Sequence, residues 1–161
     1  MKVFTVIVTY NGIKWIEQCL ENIVNQSHVI VVDNNSTDTT IEIITEKFPQ
    51  VQLFPQDKNW GFGKANNIGI SESLKLGADA VFLLNQDAYA QEKCIDNLIA
   101  ISKKNPDYGI ISPVHLNGDG TALDYTFQKI TYMQKIISDL IFKNETDMLY
   151  ENKFVNAAAW F

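Results

Sequence analysis

Short apolar runs alternate with amphipathic segments along residues 1–114. The runs are rich in β-branched residues, which is typical of strands covered on both faces. They are Val3–Thr9, His28–Val32, Val51–Phe54, Ala80–Leu84 and Gly109–Val114. Between consecutive runs, apolar residues recur at three- and four-residue spacing, which predicts a helix. This alternation predicts an α/β fold with a mostly parallel sheet and helices on both faces.

Each predicted helix carries an apolar stripe that we expect to face the sheet. The stripes are Ile13, Ile16, Leu20, Ile23 and Val24; then Ile41, Ile44 and Phe48; then Ile70, Leu74 and Ala78; and finally Cys94, Ile95, Leu98 and Ile101, within Glu92–Lys104. Ser36 or Thr37 is expected to cap the second helix, and Gly77 to end the third.

The pattern changes after residue 114. A turn is predicted at Asn117–Gly120, and an apolar stripe runs at helical spacing from Phe127 to Ile141. This stripe either packs over the sheet or forms an acceptor-side or homo-oligomer surface. Lys153–Phe161 is predicted to be a further strand. Because an apolar strand normally needs a cover, we expect the natural chain to be longer.

The composition indicates a globular chain of 161 residues, with 46% apolar and 20% charged residues. A net charge of −6 argues against nucleic-acid binding and against docking on anionic lipid, since both need clustered Lys and Arg. No apolar run approaches the roughly 18 residues of a membrane span, so no transmembrane segment is expected. Cys19 and Cys94 are expected to be buried free thiols in a reducing cytosol. His28 and His115 lack partners at the spacing of a zinc site.

Polar clusters follow the predicted strands, where parallel sheets bind their ligands. They are Thr9–Gly12, Asp33–Asp38, Asn59–Asn67 and Asn85–Asp87. Each alone is ordinary turn or cap chemistry, but together they converge on one rim of the sheet. On that rim, Asp33 is placed to read a pyrimidine imide. Lys64, with a Gly-containing loop and a helix N-terminus, suits a diphosphate. Asp87 offers a divalent metal a carboxylate.

The segments TYN (Thr9–Asn11), VVDNNSTDTT (Val31–Thr40), NWGFGKANNIGI (Asn59–Ile70) and LLNQDA (Leu83–Ala88) resemble the family-2 glycosyltransferases of the GT-A fold. The likeness is greatest to rhamnosyltransferase-like members, in which the metal motif commonly reads Asn-x-Asp. The resemblance covers nearly the whole chain. It implies one Rossmann-like nucleotide-sugar-binding domain over residues 1–161, with a βα core at 1–114 and the start of an acceptor-side region at 115–161.

The resemblance also implies roles for individual residues. Thr9, Tyr10 and Asn11 would line the nucleoside pocket, and Asp33 would bind the base. Asn35, Asn66 and Asn67 would contact the nucleotide sugar, whereas Asp38 is as suited to bracing its loop. Asn85 would contact ribose or the metal shell. Asp87 would bind Mg²⁺ or Mn²⁺, although Asn85 replaces the first carboxylate of the family's Asp-x-Asp motif and so weakens the case for tight metal binding.

The implied activity is inverting, metal-assisted transfer of a sugar from a dTDP-rhamnose or UDP-hexose type donor to a glycan or lipid-linked acceptor. Such an enzyme would serve polysaccharide biosynthesis in the cytoplasm, peripherally at the inner face of the membrane. The family's catalytic base lies beyond the small-residue strand, here Val155–Ala158, and is expected after Phe161. No residue is named as the base, and residues 1–161 alone are expected to bind the donor with little or no transfer.

Other classes that share the alternating pattern lack their motifs here. No G-x-G-x-x-G follows the first strand, which argues against a dinucleotide-dependent oxidoreductase, and no phosphate-binding G-x-x-x-x-G-K-[ST] loop is present. A nucleotidyltransferase would be expected to open with a Gly-rich basic loop, and that loop is also missing from this sequence. The alternative left open is a non-catalytic nucleotide-sugar-binding or regulatory domain, in which the same pocket senses its ligand.

Overall fold

The computed structural model describes residues 1–130 and 159–161. In chain order its elements are β1 (Val3–Thr9), α1 (Ile16–Ile23), β2 (His28–Asp33), α2 (Thr40–Lys47), β3 (Gln52–Pro55), α3 (Phe62–Lys75), β4 (Ala80–Asn85), α4 (Cys94–Lys104), α5 (Tyr125–Ile130) and β5 (Ala159–Trp160). The four predicted βα units are therefore confirmed, with boundaries that shift by a few residues.

The strands form one sheet in the order β3-β2-β1-β4-β5. β1 pairs in parallel with both β2 and β4, so that Thr9 lies opposite Asp33 and Val8 lies opposite Asn85. The chain adds β2 and β3 on one side of β1 and then places β4 on the other side. The strand order thus reverses between β1 and β4, which is where open parallel sheets bind ligands.

β1 lies at the centre of the core, and all seven of its residues are buried. Val3 and Ile7 belong to the apolar cluster that includes residues of α1, α2 and α4, whereas Phe4, Val6 and Val8 belong to the cluster on the α3 side. Each fully buried aliphatic or aromatic side chain contributes roughly 1.5–3 kcal/mol to folding. A strand covered on both faces accounts for the unbroken apolar run in the sequence.

α3 faces the sheet through small residues, and the predicted stripe Ile70, Leu74 and Ala78 is wrong in phase. Leu74 is 60% exposed. The buried positions are Ala65, Asn66, Gly69 and Ser73. A Cβ atom at Gly69 would clash with Cγ1 of Val6. The helix therefore lies so close to β1 that the contact selects small side chains, which apolar periodicity does not reveal.

The predicted strand Gly109–Val114 does not form, and β5 occupies the edge beside β4. β5 is antiparallel, with Ala159 opposite Leu84. Ile111 and Phe161 exchange two backbone hydrogen bonds of 2.7 and 2.8 Å, but no ladder extends along the segment. Pro113, which has no N–H to donate, lies two residues further on.

Several local predictions are settled by the described residues. α1 begins at Ile16, so Ile13 lies outside the helix and is 45% exposed. Gly77 adopts φ +81° just after α3 ends, as predicted. The turn at Asn117–Gly120 is also confirmed, since it connects the bridged residues Leu116 and Leu123.

The predicted stripe and strand near the C-terminus are only partly described. α5 contains the buried Phe127, which packs with Leu123 and Leu116. The remainder of the stripe, from Met133 to Ile141, and positions 153–158 of the predicted strand lie outside the described residues. None of the helices in the described part of the chain combines the length and apolar character that a membrane crossing requires.

Candidate functional site

A cleft of about 300 Å³ lies at the carboxyl ends of β1 and β4, beside the start of α3. Its lining residues come from β1, β4 and the segments that follow β1, β2, β3 and β4. They are Val8, Tyr10, Asn34, Asn59, Phe62, Asn85, Gln86 and Asp87. The cleft therefore lies at the reversal of strand order, as the parallel topology predicts.

Two aromatic rings stand at the cleft with much of their surface exposed. Tyr10 is 46% exposed and Phe62 is 48% exposed. Aromatic rings usually bury most of their area, so lining residues with this exposure provide apolar surface for a ligand. Neither position is explained by packing in the core.

Asn34 connects the segments that carry these two rings. Its side chain is buried, and its Oδ1 accepts a hydrogen bond of 3.1 Å from the backbone N–H of Trp60. Its own N–H donates to the carbonyl oxygen of Thr9 at 2.8 Å. Asn34 thus connects the end of β1 to the loop that leads into Phe62.

Asn85 lines the cleft and has a side-chain oxygen without a partner in the described part of the chain. Its Oδ1 is buried and has no hydrogen-bond partner among the described residues. A buried acceptor without a partner costs about 1–3 kcal/mol, which a ligand donor or a cation would recover. Asp87, two residues on, is exposed and offers a carboxylate to the same cleft.

Cys19 lies beneath this turn, where its thiol donates to the backbone carbonyl of Asn85 at 3.6 Å. Burial, and secondarily the charge of Asp87, raises the pKa of Cys19 to about 12. Cys94 is half-buried, and burial raises its pKa to about 11. Both are free thiols, as predicted, and both are neutral at physiological pH.

Gln86 joins the end of β4 to the end of β1. Its Oε1 accepts hydrogen bonds from the hydroxyl of Thr9 at 2.6 Å and from the N–H of Tyr10 at 3.1 Å. Its Nε2 donates to the carbonyl of Tyr10 at 3.4 Å. Thr9 was predicted to line the nucleoside pocket. It is instead fully buried, is not among the lining residues of the cleft, and donates its hydroxyl to Gln86.

Asp33, the predicted contact to the base, is also fully buried. Its Oδ2 accepts from the N–H of Ser36 at 2.9 Å, and its Oδ1 accepts from the hydroxyl of Ser36 at 2.5 Å. Asp33 is not among the lining residues of the cleft, although the next residue, Asn34, is. In this geometry the carboxylate shapes the loop after β2, and its contact with a base stays a prediction.

The loops after β1 and β2 are bound to each other. Oδ1 of Asn11 accepts from the N–H of Thr37 at 2.9 Å, and the N–H of Asn11 donates to Ser36. The N–H of Gly12 donates to the hydroxyl of Thr40 at 2.8 Å. Asn11 is thus a brace between loops and lies outside the cleft lining, as does Asn35, which is exposed with φ +68°.

Neither Ser36 nor Thr37 caps α2 as predicted, since the N-cap position is Thr39, and Asp38 binds the first residue of the helix. Its Oδ1 accepts from the N–H and hydroxyl of Thr40, and its Oδ2 accepts from the N–H of Ile13 at 3.3 Å. Desolvation acts to raise the pKa of Asp38, but these hydrogen bonds outweigh it and lower the pKa below its ordinary value. Ser36 lies four residues before α2, and its hydroxyl donates to Asp33 and accepts from the N–H of Asn11.

The remaining predicted residues lie on α3. The ammonium of Lys64 lies 3.3 Å from the centroid of the Trp60 ring, and that of Lys58 lies 3.9 Å from the same ring. Asn66 is buried and donates to the carbonyl of Phe62 at 3.0 Å, whereas Asn67 is exposed. None of these three α3 side chains is among the lining residues of the cleft.

Sequence reasoning thus placed Tyr10, Asn85 and Asp87 at the cleft but gave no role to other lining residues. Those are Val8, Asn34, Asn59, Phe62 and Gln86. Two of them carry a signal in the sequence. Phe62 is one of two aromatic residues in the polar, Gly-containing stretch Asn59–Asn67, and Gln86 is a polar residue between Asn85 and Asp87.

The cleft can hold a divalent cation only with help from a ligand. In the described part of the chain, no group of three His, Cys, Asp or Glu residues could hold a metal. Asp87 is the carboxylate of the lining, with the free Oδ1 of Asn85 near it in sequence. One carboxylate plus substrate phosphates and water is a usual environment for Mg²⁺, so these residues fit a metal that the ligand shares.

Sequence comparison relates the chain to sugar-transfer proteins. The model of the family described as "Glycosyl transferase family 2" matches residues 5–160. The chain is 30% identical over 118 residues to the dTDP-rhamnosyl transferase RfbF of Shigella flexneri, covering 73% of this chain and 40% of that protein. It is 30% identical over 101 residues to an N-acetylglucosaminyl-diphospho-decaprenol L-rhamnosyltransferase of Mycobacterium tuberculosis, covering 58% of this chain and 33% of that protein.

Solved structures share the fold at lower identity. S. aureus TarS 1-349 in complex with UDP-GlcNAc has a TM-score of 0.68 and 18% identity, over 100% of this chain and 45% of that chain. Glucosyl-3-phosphoglycerate synthase from Mycobacterium tuberculosis, with Mn²⁺, UDP-glucose and phosphoglyceric acid, has a TM-score of 0.64 and 13% identity, over 99% of this chain and 56% of that chain. The predicted GT-A architecture is thereby confirmed.

Proposed function

The chain belongs to glycosyl transferase family 2, and on that premise we propose that its cleft binds a nucleotide-diphosphate sugar as the donor for sugar transfer. The chain spans less than half the length of the two rhamnosyltransferases that it matches. The observation that carries the proposal is the convergence of Tyr10, Asn85 and Asp87 on one cleft. Aromatic surface, a free acceptor and a carboxylate together suit a nucleoside that is joined to phosphates.

The nucleoside lies against Tyr10 and Phe62 in this proposal. Both rings are about half exposed, so a base that stacks on them gains apolar contact without rearrangement of the core. The side-chain oxygens of Asn34 and Asn59 already accept from the N–H groups of Trp60 and Gly61, so their amide N–H groups are what they offer to the edge of a pyrimidine. The related proteins named for dTDP-rhamnosyl transfer and the neighbour bound to UDP-GlcNAc support a dTDP or UDP donor.

The diphosphate lies between Asp87 and the beginning of α3. Backbone N–H groups in the first turn of α3 and the positive end of its dipole favour a phosphate there. Lys64, in the first turn of the helix, leaves the ring of Trp60 to approach the charge. Asn85 accepts a hydrogen bond from a ribose hydroxyl or from water, which satisfies its free Oδ1.

Asp87, together with the diphosphate, would hold Mg²⁺ or Mn²⁺. When bound, the ion supplies charge that stabilises the departing nucleoside diphosphate. The neighbour solved with Mn²⁺ and UDP-glucose supports divalent metal use in this fold. Asn85 in place of a carboxylate removes one negative charge, so the metal is held mainly through the complex with its ligand.

The transfer itself inverts the anomeric configuration, because the acceptor hydroxyl attacks from the face opposite the leaving diphosphate. The cleft residues named here hold the donor and orient its leaving group, and none of them is assigned as the base. A glycan or lipid-linked acceptor would place the protein in polysaccharide biosynthesis, peripherally at the inner face of the membrane. Free thiols at Cys19 and Cys94 agree with a cytoplasmic location.

Calorimetry with UDP and dTDP, with Mn²⁺ and then with EDTA, tests the proposal. Wild type is expected to bind one of them more tightly with Mn²⁺ by at least about tenfold, and Asp87→Ala to lose that difference. Asp96→Ala, an exposed position on α4, serves as the control with unchanged binding. No binding of either nucleotide would reject the donor site. An equal metal effect in wild type and Asp87→Ala would reject the metal assignment.

A further inference from the structure

We propose that Gln86 is a positioning residue that sets the place of Tyr10 relative to Asp87. This inference rests on the proposed function and extends it, because it assigns a nucleoside-directed role to the middle residue of the metal motif. Gln86 carries no charge and its side-chain oxygen is already engaged by the protein. Its contribution therefore differs from that of a metal ligand.

One side chain holds both backbone polar groups of Tyr10. The side-chain oxygen Oε1 of Gln86 accepts a hydrogen bond from the N–H of Tyr10, and the side-chain nitrogen Nε2 donates to the backbone carbonyl of Tyr10. The same oxygen accepts the 2.6 Å hydrogen bond from the buried Thr9 hydroxyl. Because the backbone of Tyr10 determines where its ring begins, these contacts set the ring at the cleft.

Gly12 leaves the space that the Gln86 amide occupies. A Cβ atom at position 12 would lie 2.5 Å from Oε1 of Gln86 and 2.5 Å from Oγ1 of Thr9. Gly12 cannot move away easily, because its N–H donates to the buried hydroxyl of Thr40. The side-chain amide of Gln86 therefore packs against Gly12 and Thr9 rather than extending into solvent.

The consequence is a link between the two ends of the donor site. Gln86 lies between Asn85 and Asp87 in the turn after β4, yet its hydrogen bonds go to the end of β1. Loss of Gln86 should thus weaken binding of the nucleoside part alone, without phosphate or metal. If Gln86 served only to hold Asp87 for a metal, its loss would leave binding of the nucleoside unchanged.

The test is an NMR titration of the 161-residue chain with uridine and with thymidine in EDTA. Gln86→Leu removes all three hydrogen bonds while keeping the size of the side chain, and is expected to weaken nucleoside binding about tenfold. Gln18→Leu, an exposed glutamine on α1, is the matched control and should bind as wild type does. Gln86→Glu keeps an acceptor for Thr9 and Tyr10 and is expected to bind within about threefold of wild type.

A double-mutant cycle separates positioning from general loss of structure. Thr9→Val removes the donor to Gln86, so Thr9→Val/Gln86→Leu should lose no more nucleoside affinity than Gln86→Leu alone. Wild-type binding in Gln86→Leu, or equal losses in Gln86→Leu and Gln86→Glu, would overturn the inference. If Gln86→Leu does not fold, the nucleoside affinities of Gln86→Glu and Thr9→Val, each compared with wild type, test the inference. Absence of any nucleoside or nucleotide binding by wild type would instead refute the proposed function.

Discussion

Asn34, directly after β2, accepts a hydrogen bond from the backbone N–H of Trp60 through its side-chain oxygen, at 3.1 Å. The two residues are 26 positions apart in the chain, and the contact joins the loop before α3 to the edge of the sheet. Phe62 follows Trp60 by two residues, so the same hydrogen bond helps to place its ring at the cleft. A buried amide outside regular structure thus controls part of the site.

Asn34→Ala should release the loop before α3. Because the N–H of Trp60 loses its acceptor, its amide hydrogen should exchange faster with solvent, and the protein should lose about 1 kcal/mol of unfolding free energy. NMR-detected hydrogen exchange measures the first effect and urea unfolding the second. Asn97→Ala, an exposed asparagine on α4, is the control and should change neither. Unchanged exchange at Trp60 in Asn34→Ala would contradict this account of the loop.

Gly69→Ala and Gly63→Ala should change stability in opposite directions, although both glycines lie in α3. A methyl group at Gly69 clashes with Val6, so the helix must shift from β1 at a cost of about 1–3 kcal/mol. A Cβ at Gly63 meets nothing within 4 Å and favours the helix by roughly 0.5–1 kcal/mol. Urea unfolding of the two variants checks both signs. Stabilisation by Gly69→Ala would show that α3 does not lie this close to the sheet.

The contribution of Asp38 to stability should depend on pH. Its folded-state pKa is lowered by hydrogen bonds from Thr40 and Ile13, so the folded protein favours the carboxylate. The stabilisation is present above the ordinary aspartate pKa and is lost as pH falls through the lowered value. Because the hydrogen bonds from Thr40 and Ile13 are lost, Asp38→Ala should cost about 1 kcal/mol at neutral pH and less in acid. Urea unfolding of wild type and variant along a pH series measures this, with the exposed Glu46→Gln as control. A cost that grows in acid would have the wrong sign.

Cys19 should resist alkylation while the protein is folded. Burial and the Asp87 carboxylate raise its pKa to about 12, so almost no thiolate exists at mildly alkaline pH, and the side chain is also inaccessible. Iodoacetamide labelling followed by mass spectrometry should show Cys19 reacting at least about 100-fold more slowly in buffer than in concentrated urea. Cys94, half-buried with a pKa of about 11, should be slowed less. Rapid labelling of Cys19 in the folded chain would contradict its burial beneath Asn85.

Strands β1 to β4 were predictable because their determinants are local. β1 and β2 are buried on both faces, and that environment selects the continuous β-branched runs that the sequence displays. The position of the cleft followed as well, since the carboxyl ends of parallel strands share one edge of the sheet. For this reason the sequence predicted that the polar segments containing Tyr10, Asn85 and Asp87 lie at this edge.

Contacts between loops required the tertiary structure. Whether Asp33 faces a ligand or Ser36, and whether Gln86 faces solvent or Thr9, depends on how closely neighbouring turns approach. That distance is set by the register of β1 with β2 and β4, which no single segment encodes. The buried face of α3 was hidden for a related reason, because the closeness of Gly69 to Val6 selects small residues rather than an apolar stripe. Local periodicity determined which elements form, whereas their distances of approach decided which polar side chains line the cleft and which support it.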